Sequence, residues 1–147
     1  MSDAYVLDSS VVIRWYLNQA GYVHAREVRD RLIADEVRLV APAVLRWEVA
    51  NVLRKLGALT GRLSDRDVVD AVLDLPVVGV EITEDDEDST VDAVTLSLER
   101  RISVFDASFA LQSVRTGFPL LTADVRLARG TAKWLSTDVL RGSATTL

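Results

Sequence analysis

The sequence predicts an α/β protein, a three-layer α/β/α sandwich with a central parallel sheet, formed by one domain over residues 1–147. Short apolar runs bounded by turn-forming residues alternate with longer segments in which apolar residues recur at helical spacing. This alternation is typical of parallel sheets whose connecting helices cover both faces. A length of 147 residues with 49% hydrophobic residues suits one core, and no repeat or low-complexity linker divides the chain.

The first half of the chain is expected to hold two strands and three helices. Residues 5–7 are an apolar run that predicts a buried strand, followed by a helix that starts near Ser10. Further expected elements are a helix over residues 23–35, a strand over residues 37–40, and a helix that begins at Pro42 and ends at Gly57. We expect this third helix to be largely buried, because it is apolar on most faces.

The second half continues the alternation. Ser64, with Asp67 three residues later, predicts the capped start of a fourth helix that runs toward Pro76. The remaining expected elements are a strand over residues 77–80, a helix after the acidic run 84–88, a helix opened by Asp106 and ending near Gly117, a strand over residues 119–122, a short helix over residues 125–129 and a possible last strand over residues 132–135.

The composition restricts the kind of site the chain can form. It has no cysteine and a single histidine, His24, which excludes disulfides, zinc-thiolate sites and histidine-rich metal sites. A bound metal would therefore be held mainly by oxygen, which favours Mg²⁺ or Mn²⁺. The net charge of −5 gives no global basic field. Neither a signal peptide nor a membrane span is recognisable, so we expect a cytoplasmic protein with no membrane contact.

Four carboxylates stand out. Asp8 and Asp124 follow predicted strands, Asp106 follows a short apolar stretch, and Glu48 lies on an apolar helical stripe. In parallel α/β sheets ligands bind in the crevice beyond the carboxyl ends of the strands, where these side chains can converge. Carboxylates in apolar surroundings are costly unless a cation or hydrogen-bond donors meet them, so the group predicts a divalent metal site.

Each residue also has a purely structural interpretation. The three aspartates could be helix caps, a favoured role for aspartate at a helix start. Glu48 could pair with Arg14 or Arg46. The Ser10 hydroxyl could reach a metal or a scissile phosphate, or simply cap a helix, and Thr122 is better explained as an ordinary strand threonine. Independent caps would not, however, require Glu48 on its apolar stripe.

The chemistry of such a cluster favours phosphodiester hydrolysis. Neighbouring carboxylates raise one another's pKa values, and one or two divalent cations would offset this repulsion. The same cations would polarise a phosphodiester and lower the pKa of a bound water enough to make it a nucleophile. The residues leave the number of ions open.

Four short segments carry a family resemblance: residues 5–12, 48–51, 105–111 and 120–124. In their order and spacing the chain resembles PIN-domain nucleases, and specifically the VapC toxins of bacterial type II toxin–antitoxin modules. The resemblance runs over nearly the whole chain. It departs from the family at Phe105 and Phe109, where tyrosine is common, so these positions lack the hydroxyl that tyrosine would supply.

The resemblance implies a metal-dependent endoribonuclease whose acidic pocket binds Mg²⁺ or Mn²⁺. Carried over by position, the acidic site residues, catalytic and metal-binding, would be Asp8, Glu48, Asp106 and Asp124, with Ser10 as the accompanying hydroxyl. It also implies a homodimer, and a cognate VapB-type antitoxin whose C-terminal segment lies across the pocket. The favoured substrates are transfer RNA or a ribosomal RNA loop.

Other classes fit the residues less well. A haloacid-dehalogenase-type phosphatase needs a second aspartate where this chain has Ser10. A response-regulator receiver needs an adjacent acidic pair, where Leu7 precedes Asp8, and a late lysine followed by proline, where Trp134 follows Lys133. The main alternative is a PIN-like module that binds RNA or protein without cleaving it. Loss of an acidic residue would favour that alternative, and none is lost.

Overall fold

The computed structural model describes residues 3–143, in which five parallel strands form one sheet with the spatial order β3-β2-β1-β4-β5. The strands are β1 Ala4–Leu7, β2 Arg38–Pro42, β3 Glu81–Thr83, β4 Leu120–Thr122 and β5 Thr137–Val139. The central strand β1 pairs on both sides, with Val6 opposite Val40 of β2 and Leu120 of β4. Its residues Tyr5 to Leu7 are fully buried, as expected for a strand covered on both faces.

Helices fill the connections between strands. They are α1 Ser9–Tyr16, α2 Tyr22–Ile33, α3 Val44–Leu53, α4 Asp65–Val78, α5 Glu87–Arg100, α6 Val104–Thr116 and α7 Val125–Thr131, with a single π-helical turn at Arg54–Ala58. Helices α1 to α4 pack on one another, whereas α5 packs on α6, which lies against β1 and β2. The predicted α/β/α sandwich with a parallel sheet is therefore confirmed. Within residues 3–143, no helix is long and apolar enough to cross a membrane.

The largest error in the predicted elements concerns residues 77–80. The sequence predicts a strand there, but α4 continues past Pro76 to Val78, and the strand β3 begins only at Glu81. The helix is closed by Gly79 in the left-handed conformation, φ 109°, and by the Val80 N–H, which donates to the Leu75 carbonyl at 3.0 Å. The apolar run of residues 77–80 therefore forms the end of a helix and not a strand.

Three smaller expectations are also wrong. Pro42 ends β2 and does not begin α3, and the last strand is β5, Thr137–Val139, not residues 132–135. Helix α3 is less buried than expected. Its Val49 is fully buried, but Trp47 on another face is 77% exposed. Apolar composition predicts the helix but not the faces that the fold covers.

Candidate active site

Asp8 lies at the carboxyl end of β1 and is the most buried of the four predicted site carboxylates. It is 5% exposed, and its backbone N–H donates to the Leu121 carbonyl at 3.0 Å. Its Oδ2 accepts hydrogen bonds from the Ser10 hydroxyl at 2.5 Å and from the Thr122 hydroxyl at 2.7 Å. Burial raises the pKa of Asp8, these two hydroxyls lower it, and repulsion from Asp124 raises it again.

The two hydroxyls tie the ends of β1 and β4 together. Ser10 Oγ lies 3.2 Å from Thr122 Oγ1 and accepts a hydrogen bond from the Ala123 N–H at 2.9 Å. Thr122 Oγ1 in turn accepts from the Asp124 N–H at 3.0 Å. Thr122 is a strand threonine, as expected, but it is fully buried and its hydroxyl also joins Asp8 to the Asp124 backbone. The sequence signal for this role is a hydroxyl side chain at the end of a buried apolar strand, because a buried hydroxyl needs a hydrogen-bond partner.

The helix-cap alternative holds for one aspartate of the three. Asp124 caps α7, since its Oδ1 accepts hydrogen bonds from the backbone N–H groups of Arg126 at 3.0 Å and Leu127 at 3.1 Å. Asp8 occupies the cap position of α1, but its side chain makes no capping hydrogen bond. Asp106 is not a cap, because α6 starts earlier and Ser103 Oγ accepts from the Asp106 N–H at 3.0 Å.

Glu48 extends from α3 toward the same group. Its side chain is half-buried, and its Oε1 accepts a hydrogen bond from the Ser9 hydroxyl at 3.2 Å. Burial and then repulsion from Asp8, with a smaller contribution from Asp106, raise its pKa to about 7, although Ser9 lowers it. A carboxyl group with this pKa is only partly ionised at neutral pH.

The arginines proposed as alternative partners of Glu48 are engaged elsewhere. Arg46 pairs with Glu84 at 3.2 Å. Arg14 donates to the backbone carbonyls of Ala20 at 2.6 Å and Ser10 at 2.8 Å. Glu48 is therefore not half of an ordinary ion pair with either of them.

Asp106 completes the group from the first turn of α6. Burial raises its pKa, Asp8 and Asp124 raise it further, and Ser103 and Arg126 lower it. Residues far apart in the chain thus interact electrostatically at one end of the sheet, as the sequence predicts for strand ends. We refer to Asp8, Glu48, Asp106 and Asp124 as the acidic cluster.

The acidic cluster suits a hard divalent cation by its chemistry, since every potential ligand atom is an oxygen. In the part of the chain that the structure describes, no three carboxylate or imidazole side chains are arranged to hold one ion together. Mg²⁺ does not require such a cage, because it usually keeps several waters and takes one or two carboxylates with substrate phosphates. The donor set therefore fits an ion that is held in part by water and substrate.

The two phenylalanines that stand where tyrosine is common have different environments. Phe109 is fully buried among core residues, whereas Phe105 is 56% exposed beside Asp106 in the chain. Phe109 is part of the core and is remote from solvent. Phe105 lies at the surface in the first turn of α6.

The chain, whose parallel sheet has an acidic cluster at its carboxyl end, matches a known protein family. The model of the PIN domain family matches residues 5–133. This chain belongs to the PIN domain family. That membership confirms the family resemblance of its four sequence segments.

Solved structures share the fold at low sequence identity. PAE2754 from Pyrobaculum aerophilum is 20% identical, with a TM-score of 0.65 over 86% of this chain and 78% of that one. VapBC2 from Rickettsia felis, bound to a DNA fragment from its promoter, is 14% identical, with a TM-score of 0.60 over 86% of this chain and 92% of that one. The search of curated proteins found no match.

Proposed function

We propose that this PIN-domain protein is a metal-dependent endoribonuclease that hydrolyses RNA phosphodiester bonds at the acidic cluster, with Ser10 as the accompanying hydroxyl. One observation carries the proposal. The four carboxylates repel one another at the carboxyl end of the sheet, and within residues 3–143 none of them forms an ion pair with arginine or lysine. Such a group is stabilised when a cation binds it.

The residues of the acidic cluster would hold Mg²⁺ or Mn²⁺. Asp8 is the first candidate ligand, because the two hydroxyls on its Oδ2 hold the carboxylate in one position at the carboxyl end of β1. Asp106, Asp124 and Glu48 would complete the site directly or through water. When bound, the ion would offset the charge of a phosphodiester and lower the pKa of water.

Glu48 is suited to accept a proton during the reaction. A general base must lie within reach of the proton it takes, and the half-buried carboxylate of Glu48 extends from α3 toward Asp8 and Asp106. Ser9 orients its carboxylate by a hydrogen bond to Oε1. We assign Glu48 the removal of the proton from the attacking water, and Ser10 the orientation of Asp8.

We further propose that the chain acts as the toxin of a toxin–antitoxin module. The structural similarity to VapBC2 supports this role. Its partners would then be a VapB-type antitoxin whose C-terminal segment covers the acidic cluster, a second copy of the chain, and an RNA substrate, with transfer RNA or a ribosomal RNA loop favoured. We place the protein in the cytoplasm, as this role requires.

RNA cleavage by the purified protein tests the catalytic proposal. Cleavage should require Mg²⁺ or Mn²⁺, stop in EDTA, and be lost in Asp8→Asn but not in Asp30→Asn, a matched change on α2 away from the acidic cluster. If metal changes nothing, or if Asp8→Asn cuts as well as the parent, the proposal is wrong. RNA binding without cleavage would favour the non-catalytic alternative.

Expression in bacteria tests the toxin role separately. The parent should arrest growth, Asp8→Asn should not, and co-expression of a small protein encoded beside this chain should restore growth. Cleavage in vitro without growth arrest would contradict the toxin role and leave the chemistry intact. Sequencing the ends of RNA cut in these cells would identify the substrate.

A further inference from the structure

A cleft lined by arginines lies beside the acidic cluster. Its volume is about 380 Å³, and its lining includes Asp124 of the cluster and Ser10, whose hydroxyl donates to Asp8. Its positive side chains are Arg14 from α1 and Arg126 and Arg129 from α7. We call it the arginine cleft. Three positive side chains thus line one cleft of a protein whose net charge is −5.

None of these arginines is neutralised by an ion pair among the residues described. Other arginines of the chain do form such pairs, for example Arg38 with Glu81 at 2.7 Å and Arg66 with Asp70 at 2.9 Å. The ion pairs of residues 3–143 include none of the arginine cleft. Arg14 interacts electrostatically with Asp8 and Asp124, and Arg126 with Asp106, but neither forms an ion pair within the described range, so their guanidinium groups can still contact an external anion.

Arg14 is held in place before any ligand arrives. Its Nε and Nη1 donate to two backbone carbonyls, which fixes the plane of the guanidinium. Arg126 and Arg129 are three residues apart on α7, so they lie on the same side of that helix. A fixed guanidinium and two adaptable ones that line the same cleft suit the several oxygens of a phosphate group.

We infer that the arginine cleft binds the phosphate backbone of single-stranded RNA next to the phosphodiester at the acidic cluster. This inference rests on the proposed function, because it gives the substrate a path that continues from Asp124 into the cleft. The carboxylates would act on one phosphate while the arginines hold a neighbouring one. Such contacts position a nucleic acid strand without reading its bases.

Binding in EDTA separates this inference from catalysis. A fluorescein-labelled single-stranded RNA oligonucleotide is titrated with the parent and with Arg126→Gln/Arg129→Gln, and anisotropy is followed at several salt concentrations. The affinity should fall by on the order of tenfold or more. The slope of log affinity against log salt should shrink by about 0.7 for each phosphate that an arginine no longer neutralises, or about 1.4 for the two arginines together.

The control is Arg62→Gln/Arg66→Gln, which changes the net charge equally, from −5 to −7 on loss of two positive charges. Arg62 and Arg66 are exposed, and α4, which begins beside them, packs on α2 and α3. This control should bind RNA almost as the parent does. Circular dichroism and thermal melting should show both double variants folded, since none of the four side chains belongs to the buried core.

The outcomes distinguish the two proposals. Three results would overturn the arginine cleft as a phosphate site. They are an equal loss of RNA affinity in the two double variants, no binding of the labelled RNA by the parent, and displacement of that RNA by polyglutamate as effectively as by unlabelled RNA. Metal-dependent cleavage by the parent would still support the nuclease in each of these cases. Conversely, binding that depends on the arginine cleft in a protein that never cleaves RNA would support the cleft and contradict the nuclease.

Discussion

The two sides of the acidic cluster are built differently. On the strand side, Asp8 is buried, and two hydroxyls from α1 and β4 hold it in one position. On the helix side, Glu48 and Asp106 are half-buried, and their charges are opposed mainly by one serine each and, at Asp106, by Arg126. The strand side is thus positioned before a ligand binds, whereas the helix side stores repulsion that a ligand can relieve.

This contrast predicts which residue the activity depends on most. Asp8→Asn keeps an oxygen for the two hydroxyls but removes the charge at the fixed ligand position, so RNA cleavage should fall at least about a hundredfold. The melting temperature should stay the same or rise, because a buried charge is lost. Metal-dependent cleavage assays and thermal melting check this prediction. A large fall in melting temperature would mean that Asp8 is needed for folding and would break the contrast.

Glu48→Gln should cause the next largest loss of RNA cleavage. Its effect on the melting temperature should depend on pH. In the folded protein the pKa of Glu48 is about 7, against an ordinary value of 4.5. The folded state therefore binds the proton more tightly, and the stabilisation by protonated Glu48 is lost as pH rises from about 4.5 through about 7. The variant, which cannot ionise, should melt at the same temperature as the parent at low pH and a few degrees higher above neutrality.

Binding of a divalent metal ion should raise the melting temperature of the parent, as the Glu48→Gln substitution should. In thermal melts above neutral pH, Mg²⁺ or Mn²⁺ should raise the melting temperature of the metal-free parent, and should raise that of Glu48→Gln less, because the variant keeps Asp8, Asp106 and Asp124 but lacks the repulsion from Glu48. Asp70→Asn, a change at an acidic residue of α4 outside the cluster, should leave the metal effect intact. Parallel curves for the parent and Glu48→Gln would show that the helix side stores no repulsion.

Thr122→Val tests how the strand side is held. The change keeps the shape but removes a donor to Asp8 and an acceptor for the Asp124 N–H, so unfolding should become easier by about 1–3 kcal/mol. Cleavage should fall by roughly tenfold, as expected when a residue that orients a metal ligand is lost. Thr122→Ser should recover most of both losses. Thr131→Val, which removes a buried hydroxyl outside the cluster, should affect stability alone.

The strand side is the more predictable part of the site. A continuous apolar run marks a strand buried on both faces, so β1 and the position of Asp8 at its end can be deduced directly. The convergence of the acidic residues follows from the common edge of parallel strands. By contrast, the role of Thr122 depends on the pairing of β1 with β4, across 114 positions of the chain, which no local pattern encodes.

The wrong predictions share a local ambiguity that tertiary structure resolves. Residues 77–80 form a short apolar run, and such a run suits a strand or the end of a helix equally well. Asp106 and Ser103 both suit a helix cap, and because Ser103 takes that position, Asp106 lies in the first turn of α6, where its carboxylate interacts with Asp8 and Asp124. The predicted N-cap of α6 is wrong by three residues. Because the N-cap is Ser103 and not Asp106, the Asp106 carboxylate does not cap the helix and is a candidate ligand.

Ser9→Ala should give the smallest effect and the finest test of the helix side. The Ser9 hydroxyl lowers the pKa of Glu48, so its loss should raise that pKa and move the acidic limb of the pH–rate profile to higher pH. The maximal rate should change by less than about threefold, because Glu48 itself remains and one neutral hydrogen bond contributes about 1 kcal/mol or less. An unchanged pH profile together with a large loss of rate would mean that Ser9 acts on the substrate and not through Glu48.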